Sequence, residues 1–185
     1  IHDKYRGKAD LLINNAGFGL AGTFDKTSLK TEQDMVAVNI SALMELTKHF
    51  LHDLKKKGKG RILNVSSTAS FQPGPLMAVY FATKAFVTSF SQAVNHELKG
   101  TGVTCTTLCP GATKTKFAKR ARMDNSNLFK STMSAKEVAR QGYDGMLRGK
   151  RMVIPGRKYR LLAALSRITP TGLSMRIVER LNSKQ

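Results

Sequence analysis

Residues 61–98, RILNVSSTASFQPGPLMAVYFATKAFVTSFSQAVNHEL, contain the pattern that decides the fold. They open with a short apolar run, Arg61–Val65, which has the length and composition of a buried strand. A loop marked by Pro73-Gly74-Pro75 follows. Residues 77–98 then contain no glycine or proline over the length of a long helix, and Gly100 marks the end of that helix. We read this stretch as a strand, a loop and a long helix.

The same alternation recurs on both sides of this stretch. Three more short runs predict strands: residues 10–14, 103–108 and 151–154. Four segments have helical spacing of their apolar residues: residues 31–54, 134–147, about 158–168 and 171–182. Strands that alternate with such helices form βαβ units. We therefore predict an α/β fold with a parallel sheet and helices on both of its faces.

Two helix starts carry capping signals. Thr31, with Asp34 three residues later, is predicted to cap the helix that runs to the lysines at 55–57. Ser134, with Glu137 at the capping-box position, is predicted to cap the helix that ends near Leu147.

The net charge of +19 is concentrated towards the end of the chain. Residues 1–111 carry a net charge of +5, and residues 112–185 carry +14. Such a charge attracts anionic lipid or nucleic acid through a screened, sequence-independent interaction. The solvated surface of a basic protein explains the same charge, and both interpretations stay open. No apolar run approaches the roughly 20 residues that a membrane-spanning helix needs.

The cysteines and histidines do not indicate a disulfide or a metal site. Cys105 and Cys109 are four residues apart in an apolar β-like run, and on an extended chain they would be too far apart for easy bridging. We expect buried free thiols and a cytoplasmic protein. His49 and His52 lie one helical turn apart without a third candidate ligand, so we expect no metal.

Polar or glycine-containing motifs follow three of the predicted strands. They are Asn14-Asn15-Ala16-Gly17, Ser66-Ser67 and Pro110-Gly111. Ligands of parallel α/β sheets bind at the carboxyl ends of the strands, so we expect these motifs to form one site.

Tyr80 and Lys84 lie four residues apart on the predicted long helix, so their side chains share one face. A protonated lysine stabilises a nearby phenolate, and we expect it to lower the pKa of Tyr80 by roughly 1–3 pH units. Such a tyrosine suits general acid catalysis on a carbonyl group. Because roughly 0.4 such pairs arise by chance from composition, the pair alone is more typical of an ordinary amphipathic helix than of a catalytic site.

Two further polar residues extend this hypothesis. Ser67 lies at a strand end thirteen residues before Tyr80, where its hydroxyl could donate to a substrate oxygen. Asn39 lies within a predicted helix, for which asparagine is a mediocre residue. Its side chain could hold a water molecule that relays protons to Lys84, or it could only mark a local kink.

These motifs together resemble the short-chain dehydrogenase/reductase family. In order and spacing, the matching motifs are Asn14-Asn-Ala-Gly17, Asn39, Asn64-Val-Ser-Ser67, Tyr80-x-x-x-Lys84 and Pro110-Gly111-x-x-x-Thr115. The similarity is specific from about Asp10 to Thr115 and continues as general architecture. It implies a partial Rossmann-type doubly wound parallel sheet of about four strands. Residues 1–185 would form one NAD(P)-binding domain, with residues 156–185 as a basic helical extension.

The resemblance also implies an oxidoreductase that interconverts a ketone or aldehyde and an alcohol with NAD(P)(H). Tyr80 would be the general acid/base, Ser67 would polarise the carbonyl, and Lys84 would tune Tyr80 and bind the nicotinamide ribose. Asn39 would complete the proton relay. The other cofactor contacts would come from Asn15, Ala16, Gly17, Pro110, Gly111 and Thr115.

One feature of the family is missing from the sequence. The Thr-Gly-x-x-x-Gly-x-Gly turn is absent, and Gly17-x-Gly19-x-x-Gly22 does not lead at once into a helix. We read the latter as the loop after the first strand, and we expect the pyrophosphate-binding units to lie before Ile1. The 185 residues alone are then expected to be a poorly active fragment. The residue that discriminates NAD from NADP would also be missing, and we expect NADP.

The expected substrate is a small, apolar carbonyl compound or alcohol. Its pocket could be made apolar by Phe71, Leu76, Met77, Phe117, Met123 and Phe129, although ordinary packing explains these residues equally well. The family implies a homodimer or homotetramer. We expect weak contact with anionic membranes and no specific nucleic acid. The alternatives are a basic module that binds membranes or nucleic acid, and an inactive fragment.

Overall fold

The computed structural model describes residues 8–124, 126–129 and 131–183. Its main sheet has four parallel strands in the order β1-β2-β3-β6. These strands are β1 (Leu11–Asn14), β2 (Gly60–Val65), β3 (Val103–Leu108) and β6 (Met152–Val153). The predicted α/β fold with a parallel sheet is confirmed. A small parallel pair, β4 (Thr113–Lys114) with β5 (Met133–Ser134), was not predicted.

Seven α-helices surround the sheet within the described residues. They are α1 (Leu29–Val36), α2 (Leu43–Lys57), α3 (Ala78–Glu97), α4 (Phe117–Arg120), α5 (Ala135–Leu147), α6 (Arg157–Ser166) and α7 (Thr171–Asn182). A π-helical segment, Ala37–Ala42, joins α1 to α2. Short 3₁₀ turns occupy Thr68–Phe71 and Asn127–Phe129.

One of the two predicted caps is confirmed and the other is wrong. The Ser134 hydroxyl accepts a hydrogen bond from the Glu137 amide, as predicted for α5. Helix α1 instead begins at Leu29, and Ser28 caps it by accepting from the Thr31 amide at 3.4 Å. Both Ser28 and Thr31 suit an N-cap by residue type. The extended backbone of Ser28 decides between them, and Thr31 lies inside the first turn.

Helices cover both faces of the sheet. On one face, Ile62 and Cys105 pack with Phe50 of α2 and Val94 of α3. On the other face, Leu63, the residue after Ile62, packs with Val138 and Met146 of α5. Successive residues of a strand point to opposite faces, which explains why β2 contributes to both cores. Cys105 and Cys109 are buried free thiols, as predicted.

Strand β1 lies at the edge of the sheet and pairs with β2. Its Leu12 and Asn14 are buried, whereas Leu11 and Ile13 on the opposite face are exposed. Among the described residues, no helix is both long and apolar enough to cross a membrane.

Candidate active site

The carboxyl ends of the strands surround a cavity of about 590 Å³, and Ser67, Tyr80 and Lys84 all line it. Ser67 follows β2 directly, whereas Tyr80 and Lys84 lie on the first two turns of α3. The structure thus brings together three side chains that the sequence places on two elements. The loops after β1 and β3 reach the same cavity through Gly17 and Gly111.

Two adjacent serines at the end of β2 have different environments. Ser66 is buried, and its hydroxyl donates to the Lys84 carbonyl at 2.8 Å, which ties the strand end to α3. Ser67 has an extended backbone, and its hydroxyl caps the following 3₁₀ turn by accepting from the Ala69 amide at 3.1 Å. Both serines line the cavity, and the Ser66 hydroxyl is committed to the Lys84 carbonyl, so it fixes the helix.

Tyr80 is buried among aromatic side chains. Its ring centroid lies 5.3 Å from that of Phe117. Gly19 lets the loop after β1 approach the ring, since a Cβ there would lie 2.9 Å from the Phe117 Cζ atom and 3.2 Å from the Tyr80 Cδ2 atom. Burial raises the pKa of Tyr80 to about 12, and a hydrogen bond with Ser67 opposes this rise.

The expected lowering of the Tyr80 pKa by Lys84 is therefore wrong for this structure. The Lys84 ammonium donates to the Val65 carbonyl at 2.9 Å and lies 5.9 Å from the centroid of the Tyr80 ring. Burial dominates at both residues, and it lowers the pKa of Lys84 to about 8. At neutral pH, Tyr80 is thus a neutral phenol beside a mostly protonated lysine.

Asn39 occupies the π-helical segment and is almost fully buried. Its side-chain amide donates to the Phe18 carbonyl at 3.0 Å and to the Thr83 hydroxyl at 3.1 Å, and its oxygen accepts from the Phe18 amide at 3.1 Å. Both N–H groups are thus engaged, and Asn39 does not line the cavity. In this structure the side chain ties the loop after β1 to α3, and the relay role stays a prediction.

Most residues predicted to contact the cofactor line the cavity. These are Asn15, Gly17, Pro110, Gly111 and Thr115. Ala16 is not among the lining residues. A Cβ on Gly17 would lie 3.0 Å from the Asn39 Oδ1 atom and 3.3 Å from the Lys84 Nζ atom. The backbone of this loop therefore lies directly beside the buried ammonium group.

A comparison with known protein families identifies the family of this chain. The sequence model of the short chain dehydrogenases matches residues 1–126. The chain belongs to the short-chain dehydrogenase family. This is a family of oxidoreductases, and the predicted membership is confirmed.

Three proteins illustrate the similarity. Ketoacyl reductase HetN of Nostoc sp. (strain PCC 7120) is 41% identical over 105 residues, which cover 57% of this chain and 37% of that protein. The short-chain dehydrogenase from Sphingobium yanoikuyae in complex with NADPH has a TM-score of 0.76 at 29% identity, over 90% of this chain and 65% of its own. The 3-ketoacyl-(acyl-carrier-protein) reductase from Brucella melitensis complexed with NADH has a TM-score of 0.71 at 25% identity, over 84% of this chain and 69% of its own. This member of the short-chain dehydrogenases thus spans 37% to 69% of the length of these relatives.

The remaining walls of the cavity in this short-chain dehydrogenase are mostly apolar. Of the six residues predicted for an apolar pocket, Met77, Phe117, Met123 and Phe129 line it. Phe71 instead lines a neighbouring cavity, and Leu76, with a φ of 65°, lines neither. Another part of the wall, which the sequence did not predict, comes from α5 and α7. It includes Val138, Ala139, Val178 and Leu181. Nothing in their helical spacing distinguishes these residues from ordinary core positions.

Proposed function

We propose that this chain carries the catalytic residues of an NAD(P)-dependent enzyme that interconverts a ketone or aldehyde and an alcohol. One observation carries the proposal: Ser67, Tyr80 and Lys84 line the same cavity at the carboxyl ends of the strands. Together, these groups can polarise a carbonyl oxygen and protonate it as it becomes an alcohol oxygen.

The residues present fit a nicotinamide dinucleotide. The Lys84 ammonium has three donors and makes one hydrogen bond within the described residues, so it can also donate to a ribose hydroxyl. Lys116 and Arg120 also line the cavity, and none of the described residues that line it is a carboxylate. This positive environment suits an anionic cofactor. The cofactor would lie against Lys84 and the loop residues Asn15, Ala16, Gly17, Pro110, Gly111 and Thr115.

A bound reduced dinucleotide supplies the hydride that the carbonyl carbon accepts. One solved relative holds NADPH and another holds NADH. Both support NAD(P) as the class of cofactor. Our expectation of NADP stays a prediction. We also propose that the 185 residues by themselves bind the dinucleotide weakly, because their sequence has no glycine-rich turn that leads into a helix.

The side chains divide the remaining chemistry. Ser67 donates a hydrogen bond to the carbonyl oxygen and polarises it. Tyr80, protonated at neutral pH because its pKa is about 12, transfers its proton to that oxygen as negative charge develops there. Lys84, with a pKa of about 8, then stabilises the phenolate that remains. The rate of reduction should therefore fall as the pH rises through about 8 and Lys84 loses its charge.

The walls support an apolar substrate. Met77, Phe117, Met123 and Phe129 face the same space as Tyr80. A homodimer or homotetramer is also proposed. Helix α3 has small exposed residues, Ala82, Ala85 and Ser89, which allow a helix of a second copy to approach closely.

Replacement of Tyr80 tests the proposal in the natural polypeptide that carries these residues. In the Tyr80→Phe variant, we expect kcat for a medium-chain aliphatic ketone to fall by roughly 10²–10⁴-fold, because the general acid is removed. The dissociation constant for the dinucleotide should stay within about threefold. Tyr143→Phe, at an exposed position on α5, is the matched control and should keep full turnover. Unchanged kcat in Tyr80→Phe would refute the proposal.

A further inference from the structure

Helices α6 and α7 expose apolar side chains where a helix on a protein surface usually has polar ones. In α6, Ala163 is the buried residue. Leu161 and Leu165 lie on the opposite side of the helix, since each residue advances about 100° around the axis. Ile168 follows in the turn after α6. Leu161 is 62% exposed and Ile168 is 79% exposed. The outward face of α6 therefore presents Leu161 and Leu165 beside the exposed Lys158.

Helix α7 shows three parallel stripes of residues. Ser174, Val178 and Asn182, at a spacing of four, are buried. The adjacent stripe, Leu173, Ile177 and Leu181, is exposed. Arg176 and Arg180 form the next stripe around the helix. An exposed apolar stripe therefore lies between the buried face and a row of arginines.

The region that contains α6 and α7 is strongly cationic. Residues 157–183 contain a single acidic residue, Glu179. The cationic residues are Arg157, Lys158, Arg160, Arg167, Arg176 and Arg180. Amphipathic helices that lie on membranes combine such a cationic border with exposed leucine and isoleucine. Exposed apolar patches on a soluble protein commonly mark an interaction surface.

We propose that the exposed face of α6 and α7 binds the surface of an anionic lipid bilayer. Leucine and isoleucine side chains would enter the boundary between headgroups and acyl chains, and the arginines would contact lipid phosphates. The exposed residues Leu161, Leu165, Ile168, Leu173 and Ile177, with the flanking arginines, are the residues of the proposed membrane surface, and their chemistry fits lipid better than nucleic acid. A nucleic-acid backbone uses the cations but gives the exposed leucines no apolar partner.

The proposed membrane surface is continuous with the catalytic cavity. Val178, Leu181 and Asn182 of α7 line that cavity, and Leu181 is also partly exposed. The Asn182 side chain donates to the Pro75 carbonyl at 2.9 Å, which holds the end of α7 against the loop before α3. If the proposed function holds, an apolar carbonyl compound dissolved in the bilayer would enter the cavity beside α7. Membrane binding itself does not depend on catalysis.

Vesicle binding tests this proposal in the natural polypeptide that carries these residues. We expect binding to phosphatidylcholine vesicles that contain phosphatidylglycerol, and at least tenfold weaker binding to vesicles of phosphatidylcholine alone. Removing one cation near an anionic surface should weaken binding about fivefold. Arg176→Gln/Arg180→Gln should therefore lose roughly 25-fold in affinity. Leu161→Gln/Ile168→Gln should lose a similar amount because the inserted apolar area is removed.

A matched pair of substitutions separates this surface from the overall charge. Lys55→Gln/Lys56→Gln removes two exposed cations at the end of α2 and should leave vesicle binding within about twofold. An equal loss in this control, or equal binding to both kinds of vesicle, would overturn the proposal. So would stronger binding to duplex DNA at the same phosphate concentration. The proposal would also be overturned if the parent binds no vesicles and Leu161→Gln/Ile168→Gln converts an oligomer to a monomer. The surface would then be a contact with a second copy of the chain.

Discussion

The cavity at the carboxyl ends of the strands and the C-terminal helices depart in opposite directions from the usual distribution of side chains. Around the cavity, polar groups such as Asn39 and Lys84 are buried, and each has a hydrogen-bond partner within the chain. On α6 and α7, large apolar groups such as Leu161 are exposed. A buried polar group is tolerated when it is paired, whereas an exposed apolar surface has no such compensation inside the monomer. The buried polar groups of the first region are therefore paired within the chain, whereas we attribute the exposed apolar groups of the second region to the external partner proposed above.

Loss of a buried polar partner should have the largest effect on stability. The Asn64 side chain accepts from the Asn14 amide at 2.8 Å and donates to the Ser91 hydroxyl at 2.9 Å. In Asn64→Leu, both partners lose a hydrogen bond, and the free energy of unfolding should fall by about 3–4 kcal/mol. Urea denaturation measures this change. The exposed control Gln33→Leu should change it by less than about 0.5 kcal/mol.

Removal of the buried charge at Lys84 should stabilise the fold while it impairs catalysis. The pKa of Lys84 is about 8 in the folded chain and 10.5 when unperturbed, so the unfolded state binds more protons between these values. Stability of the parent should therefore rise as the pH increases from 8 to 10.5, and this rise should be absent in Lys84→Met. At pH 7, the free energy of unfolding of Lys84→Met should exceed that of the parent by up to about 3 kcal/mol.

Urea denaturation at several pH values checks this prediction. Lys99→Met, which removes an exposed lysine after the same helix, should keep the pH dependence of the parent. A lower stability of Lys84→Met at pH 7, with the slope between pH 8 and 10.5 retained, would show that Lys84 is not a costly buried charge.

A smaller effect should reveal how the two regions are coupled. Gly111, beside the cavity, packs against the ring of Tyr159 on α6, and a Cβ at this position would overlap the ring. Gly111→Ala should cost about 2 kcal/mol through overpacking. In a double-mutant cycle, Tyr159→Ala should recover at least about 1 kcal/mol of that cost. If the effects of the two substitutions on the free energy of unfolding are additive, Gly111 and Tyr159 do not interact, and α6 is not coupled to the cavity through this contact.

The smallest effect is expected on the exposed surface of the C-terminal helices. Leu161→Gln/Ile168→Gln should change the free energy of unfolding by less than about 0.5 kcal/mol, because both side chains are mainly in solvent. Thermal or urea unfolding of the double variant gives this value. A loss of 2 kcal/mol or more would mean that these side chains contribute to the core, which would remove the contrast between the regions.

The sequence contained most of the fold and the main part of the site. The predicted strands, the cap at Ser134 and the helices at both sides of the sheet follow from local composition and spacing, and each is confirmed. The predicted start of α1 was wrong because two cap-forming residues, Ser28 and Thr31, lie within one helical turn and only the backbone conformation distinguishes them. The lowered pKa of Tyr80 was wrong because a spacing of four residues does not report burial or the Val65 carbonyl that holds Lys84.

Other parts of the site depend on long-range packing. The contribution of Val178 to the cavity requires α7 to fold back over residues about one hundred positions earlier, and the Asn182–Pro75 hydrogen bond is one such contact. No local signal marks these residues. The catalytic roles of Ser67, Tyr80, Lys84 and Asn39 stay predictions.

Isotope transfer tests the central claim most directly. The natural polypeptide that carries these residues would be incubated with a medium-chain aliphatic ketone and NAD(P)H deuterated on the reactive face at nicotinamide C4. We expect one deuterium atom on the carbinol carbon of the alcohol product, with its appearance slowed roughly 10²–10⁴-fold in Tyr80→Phe. An alcohol product whose carbinol carbon gained no deuterium, or equal rates of transfer in both proteins, would contradict the account.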